Sequence, residues 1–326
     1  VDLNAEELVP DVIGGYRVLG RIARGLTSNV YRVRRAGGTG FHRDFALKIL
    51  DQGAADRRDC SRAFVDEATV ASHLHHRNLV AVHEFGQLGG RWYAVMDLVE
   101  GLDLLLLLRN LQRRGRWLPQ SAAVEVAVQV LQGLHHAHVR VDERGRELGI
   151  VHRDVNPTNV LISQHGCVRL TDWGLARIQD NTLRTESGVE EGSPRFLSPE
   201  QARNEPLDGR SDQFAVGVLL YFMLSRELPF SGDSDDAVRD AVIACRHRPL
   251  AEVAPQVAGP LLDLVGTLLA PDRRDRFATC FEAADELAWT GYEEVHRGHG
   301  ERLLAEVVES VLEPPAVGRV EAITRP

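Results

Sequence analysis

The chain changes texture near Gly101, and that change limits what it can fold into more than any other feature. From Tyr16 to Val99, short β-rich runs alternate with turn residues, at 16–19, 29–33, 45–50, 79–82 and 92–96. One helical stretch interrupts them: over 59–74, Phe64, Ala68, Ala71 and Leu74 recur on one face, with Glu67 near its edge. Beyond Gly101 the pattern predicts long apolar helices, one over 119–138 with Pro119 near its first turn. A second, over 211–224, is apolar nearly all round and so must be buried. Gly, Pro, Ser and Asp cluster at 204–211 and 229–236, which reads as loops, and Leu104 to Leu108 reads as core packing. A last amphipathic pattern (Leu303, Leu304, Val307, Val308, Val311, Leu312) precedes a Pro-containing tail. At about 150 residues per domain the length allows about two folding units. A strand-rich first third and a helix-rich remainder predict an α+β protein of two lobes, with the ligand site in the cleft between them.

Charge and composition exclude several classes. The 326 residues are 44% hydrophobic and 26% charged, an ordinary globular mix. A formal charge of −9 argues against nucleic acid or an anionic membrane as the main partner. No apolar run approaches the roughly 20 residues of a spanning helix, so no membrane segment is expected in this chain. Cysteines at 60, 167, 245 and 280 form no C-x-x-C pair and the N-terminus carries no signal pattern, which makes the cytoplasm the expected compartment. The chain begins at Val1 and can be an excised piece of something longer. Oligomeric state is not legible.

The strongest local signal is His152-Arg153-Asp154-Val155-Asn156-Pro157-Thr158-Asn159, followed eighteen positions after Asp154 by Asp172-Trp173-Gly174. Upstream stands Phe45-Ala46-Leu47-Lys48, and downstream Gly192-Ser193-Pro194 leads to Ser198-Pro199-Glu200, with Asp212 and Arg276 beyond. In this order and spacing the chain resembles the protein-kinase superfamily over about residues 12–292, and among its members the bacterial serine/threonine kinases of eukaryotic type. The resemblance implies a two-lobed kinase fold, with a small β-rich N-lobe at 12–99 and a larger helical C-lobe at 100–292. An N-terminal extension at 1–11 and a C-terminal helical extension and tail at 293–326 flank them. It implies ATP and Mg²⁺ in the cleft and a protein hydroxyl as substrate.

The roles that follow from the resemblance make chemical sense, because phosphoryl transfer depends on charge placement more than on covalent help. Lys48, fixed by Glu67, can hold two phosphates. Asp172 and Asn159 offer the hard oxygen ligands that Mg²⁺ prefers. Asp154 can accept the proton of the substrate hydroxyl, with Pro157 stiffening the turn between it and Asn159. Ile22 and Val30 would roof the adenine, Ala46 and Leu161 line it, and Met96 stand at the back. Asp97 and Val99 would offer backbone contacts, and Ala23 and Gly25 belong to the loop over the phosphates.

Two departures stand out. Ala23-Arg24-Gly25-Leu26-Thr27-Ser28 keeps one glycine of the three the family has there, which removes conformational freedom and room at Ala23. Asn156 stands where serine/threonine kinases usually carry a lysine, a change that commonly costs about 10²–10³ in rate unless another cation substitutes. A pseudokinase is therefore the alternative, and a small-molecule phosphotransferase a more distant one. The histidine groups at 73–76 and 135–138 read as helix-end residues rather than metal ligands, and Arg113-Arg114-Arg116 as a solvated face. Thr182, Thr185 and Ser187 are candidate autophosphorylation sites, with Arg153 placed to pair with a phosphate.

Overall fold

Alternation in the first third sends Tyr31, Val33, Leu47, Ile49, Tyr93 and Val95 to one sheet face, where they form a buried cluster with Ile13 and Tyr16. The computed structural model describes residues 11–25, 27–35, 43–173, 194–290 and 299–312. Its first sheet comprises β1 (Val12–Ile13), β2 (Tyr16–Arg24), β3 (Ser28–Arg35), β4 (Asp44–Leu50), β5 (Val82–Leu88) and β6 (Arg91–Asp97). The strands lie in the order β1-β2-β3-β4-β6-β5, every pair antiparallel. Between β4 and β5 come the short α1 (Gln52–Ala55) and then α2 (Arg58–Ser72), which buries Phe64, Ala68 and Ala71 as its spacing predicts.

One predicted strand moves. The apolar run at 79–82 does not form a sheet strand until Val82; Leu79 and Val80 instead dock against β9 (Val168–Leu170) of the helical part. Leu79 makes a lone parallel bridge to Leu170, and the Val80 N–H donates to Leu170 O at 2.9 Å. The strand that follows lies at the sheet edge, and none of its residues is fully buried.

A three-stranded sheet, β7 (Gly101–Asp103), β8 (Val160–Ser163) and β9, opens the helical part. Helices α3 (Leu104–Arg113), α4 (Gln120–His138), α5 (Pro199–Ala202), α6 (Gly209–Ser225), α7 (Asp235–Ile243), α8 (Leu250–Val253), α9 (Gly259–Leu268) and α10 (Cys280–Thr290) follow. The expected loops end at caps: Asp208 accepts from Arg210 N and Ser234 from Ala237 N, starting α6 and α7. Within α6 fourteen residues are buried, Ser211, Asp212 and Gln213 among them, and the helix packs against α4, α8, α9 and α10. Arg276, with a side chain 0% exposed, grips Glu200 through two hydrogen bonds of 2.7 and 3.1 Å, and Ser211 Oγ adds a third.

The amphipathic pattern near the C-terminus forms α11 (His299–Leu312). Leu304, Val307, Val308 and Val311 are buried in the same core as α3, α4 and β8. Gly166 is required beneath it, since a Cβ there would stand 1.8 Å from Glu301 O. Arg114 is exposed, as expected of a solvated face, and from there donates to Ser310 O at 2.6 Å and Val311 O at 3.0 Å. A cation on the last carbonyls of a helix satisfies orphan acceptors and opposes the helix dipole.

Leu304→Ala empties a fully buried site and is expected to lower stability by about 2–5 kcal/mol, read as a lower urea midpoint at unchanged slope. An unchanged midpoint would mean that α11 is not docked in solution. Glu200→Gln leaves Arg276 buried and uncompensated, at a cost of about 3–5 kcal/mol. Burial raises the Glu200 pKa, but hydrogen bonds and charge from Arg276 and a bond from Ser211 outweigh it and hold the carboxyl below its usual 4.5. The deficit is therefore full above pH 4.5 and shrinks as pH falls through the lowered value; denaturant melts across that range give its sign.

Candidate active site

Residues directly opposite on an antiparallel pair share a face. Val30 pairs with Lys48 and Lys48 with Ala94, while Ala46 pairs with Met96, so Val30, Ala46, Lys48 and Met96 line one side of the sheet. On that side α2 presents Glu67, and the Lys48 ammonium lies 3.0 Å from Glu67 Oε1 and 2.7 Å from Asp172 Oδ1. Asp172 follows β9 with φ +59°, a left-handed backbone that a β-carbon resists. Two carboxylates thus share one cation. Burial works against the Lys48 charge, but Asp172 and Glu67 outweigh it and hold the ammonium well above an ordinary lysine pKa. Burial pushes Glu67 up to about 7 despite Lys48, with Asp172 repelling it further. Asp172 also resists burial as an anion, yet the Lys48 charge and hydrogen bond keep it below the usual carboxylate range.

A second buried carboxylate shapes the loop that carries Asp154. Asp212 accepts from the backbone N–H groups of His152 and Arg153, each at 2.9 Å, and pairs with His138 Nε2 at 2.8 Å. Arg153 sits at φ +67°, and Gln201 of α5 donates to its carbonyl at 2.8 Å. His152 Nδ1 accepts from Asp154 N, so Nε2 carries the ring proton and donates to Thr171 O at 3.1 Å. Its ring packs 4.7 Å from that of Trp173. One histidine therefore ties the loop of Asp154 to the strand end that presents Asp172.

Within the loop, Asn159 is 6% exposed and donates Nδ2–H to Asp154 O at 2.9 Å and to Asp154 Oδ2 at 3.2 Å. Asn156 is turned inward: its Oδ1 accepts from Thr158 N at 2.9 Å and Thr158 Oγ1 at 2.6 Å, and its Nδ2 donates to Asp154 O. It acts as an Asx turn that braces Asp154 and Asn159.

The remaining sequence-derived positions lie around this centre. Ala46 is buried; Val30, Met96, Val99 and Leu161 are half-buried; Ile22 is 51% exposed and Ala23 is exposed beside it. Gly25 N–H donates to Ser28 O at 2.8 Å, closing the β2–β3 hairpin. Asp97 donates its N–H to Ala81 O at 3.0 Å, and its carboxylate binds Arg43 at 2.8 Å, His83 at 2.7 Å and Arg169 at 3.0 Å, joining the two sheets at the end of β6. Sequence reasoning missed this carboxylate, as it missed His138 and Gln201, whose partners are distant in the chain. Thr182, Thr185 and Ser187 lie outside the described residues.

A sequence model of the protein kinase domain matches residues 16–289. The chain is 32% identical over 274 residues to the tyrosine-protein kinase MasK of Myxococcus xanthus, covering 84% of this chain and 42% of that protein. It is 37% identical to the serine/threonine-protein kinase PknL of Mycobacterium tuberculosis, covering 83% of this chain and 64% of that one. The crystal structure of the Mycobacterium tuberculosis PknI kinase domain superposes with a TM-score of 0.64 at 26% identity, over 85% of this chain and 96% of that one. By the charged triangle of Lys48, Glu67 and Asp172, the braced loop of Asp154, and these matches, the chain belongs to the protein kinase domain family.

Proposed function

We propose that this chain is an ATP-dependent serine/threonine protein kinase domain, with the N-lobe at 12–99, the C-lobe at 100–292 and an extension at 293–326. The observation that carries the reading is the Lys48 ammonium held between Glu67 and Asp172, because it puts a fixed cation where phosphates would need one. The donor set suits Mg²⁺: Asp172 has a side chain 42% exposed, and Asn159 spends its N–H groups on Asp154, which leaves a hard amide oxygen. Bound there, the metal would neutralise charge on the transferred group.

The substrate hydroxyl would attack the γ-phosphorus as the bond to the β–γ bridging oxygen breaks, releasing ADP, with the hydroxyl proton accepted by Asp154. Asn159, bonded to both the carbonyl and the carboxylate of Asp154, would orient that base. Ile22, Ala23, Gly25 and Val30 would cover the nucleotide, with Ala46, Met96, Leu161 and the backbone of Asp97 and Val99 around the base. A serine or threonine acceptor is favoured by Pro157 and by relatives named serine/threonine-protein kinases, and the cytosol is the compartment that supplies ATP. Tyrosine is the competing acceptor, since one relative is named a tyrosine-protein kinase.

Transfer of ³²P from ATP·Mg²⁺ to a generic basic protein tests the reading. Incorporation on serine or threonine that disappears in Asp154→Asn and Lys48→Met is expected, and phosphoamino-acid analysis identifies the acceptor. ATP binding without transfer would favour a pseudokinase scaffold instead. Asn156→Ala unbraces the loop and is expected to lower kcat about tenfold, the value of roughly one hydrogen bond of 1–1.5 kcal/mol, with ATP affinity unchanged. Steady-state kinetics that show no loss would contradict the bracing role.

A further inference from the structure

The hairpin that aligns with the family's phosphate loop holds its shape by contacts that glycine does not supply. Asp51, directly after β4, donates its N–H to Thr27 O at 2.9 Å, and its carboxylate Oδ1 accepts from Asn29 Nδ2. Both anchored residues lie on the returning side of the hairpin, where Ser28 pairs with Leu50 and Asn29 with Ile49. Asp51 stands at the N-cap position of α1, yet its side chain makes no capping hydrogen bond. The carboxylate is aimed at the loop instead.

Asn29 is only 5% exposed, and its Oδ1 has no hydrogen-bond partner among the described residues. The Nδ2 group must face Asp51, because a carboxylate can only accept. A buried orphan acceptor costs about 1–3 kcal/mol, so stability alone gives no reason to keep an amide there. Holding the loop does.

We propose that Asn29 and Asp51 are positioning residues that set the height of the phosphate loop over Lys48. The inference rests on the nucleotide-binding reading above. Asp51 is three residues beyond Lys48, just past the end of the same strand, so one residue fixes the loop that would cover the phosphates to the strand that carries the lysine. In a loop with one glycine, where Ala23 and Ser28 narrow the accessible backbone, such a staple substitutes a fixed position for freedom of approach. The staple acts on phosphates and not on the nucleoside, because Thr27 and Asn29 lie at the hairpin's tip and return, beyond Val30.

Calorimetric titration of the whole chain with ATP·Mg²⁺ and, separately, with adenosine reads this out. Asn29→Ala and Asp51→Ala are each expected to weaken ATP binding about tenfold, the worth of one hydrogen bond to a charged group, while adenosine affinity stays within about twofold. The double variant should lose no more than either single one, and Asp51→Asn, which keeps an acceptor for Asn29, should recover most of the loss. Unchanged ATP affinity in both alanine variants overturns the proposal, and so does an equal loss for adenosine, which would mark a general collapse of the sheet. If the unmodified chain binds no ATP, the nucleotide reading falls and the staple with it; ATP binding that ignores both variants removes the staple alone.

Discussion

The site depends on one cation shared by two carboxylates. Lys48 comes from the middle of the first sheet, Glu67 from the helix packed on that sheet, and Asp172 from the end of a strand in the second sheet. Their meeting at 3.0 and 2.7 Å is possible only if sheet, helix and the helical part are already in place, so the triangle reports the closed arrangement of the fold as well as its chemistry. Burial opposes every charge in it. Mutual attraction in a partly dry site is what keeps Lys48 and Asp172 ionised, and Glu67, left with the weaker share of the cation, is the group whose proton is most easily gained.

The same device recurs away from the triangle. Asp212 holds two successive backbone N–H groups of the loop that carries Asp154, and Arg276 holds Glu200 beneath the segment leading to α5. Asp97 gathers Arg43, His83 and Arg169 where the first sheet ends. Each is a carboxylate with several hydrogen-bond donors, and the two most buried, Glu200 and Asp212, sit against α6 or on it. Buried ions are weak evidence for stability, but they fix geometry, because a displaced partner leaves a charge unpaired. The left-handed backbone at Arg153 and Asp172 is held by this surrounding network of bonds.

Much of this was legible in the sequence. The motifs pointed to Lys48, Glu67, Asp154, Asn159 and Asp172; the structure joins Lys48 to Glu67 and Asp172 in one triangle and Asn159 to Asp154 in one loop, and it pairs Glu200 with Arg276. Periodicity found α2 and α11, and sustained apolar character found α4 and α6, because each must be buried regardless of what it packs against. It misplaced the run at 79–82, since an apolar stretch looks alike whether it joins a sheet or docks on a neighbouring strand. It could not see Arg114 on the end of α11, or Asp51 under Asn29, because those pairs are set by tertiary placement and leave no local pattern. Asn156 is the instructive case. From sequence it is a missing lysine; in the fold it is a brace whose amide is already committed to the loop.

In the proposed kinase reading, Lys48, Asp172 and Asn159 hold a magnesium-bound nucleotide. ATP affinity measured with saturating Mg²⁺ and again with the metal chelated tests it most directly, in the unmodified chain and in Asp172→Asn. Chelation is expected to weaken ATP binding by about tenfold or more in the unmodified chain, since metal and nucleotide would bind as one unit, and the difference is expected largely to disappear in the variant. An affinity indifferent to Mg²⁺ in the unmodified chain would contradict it.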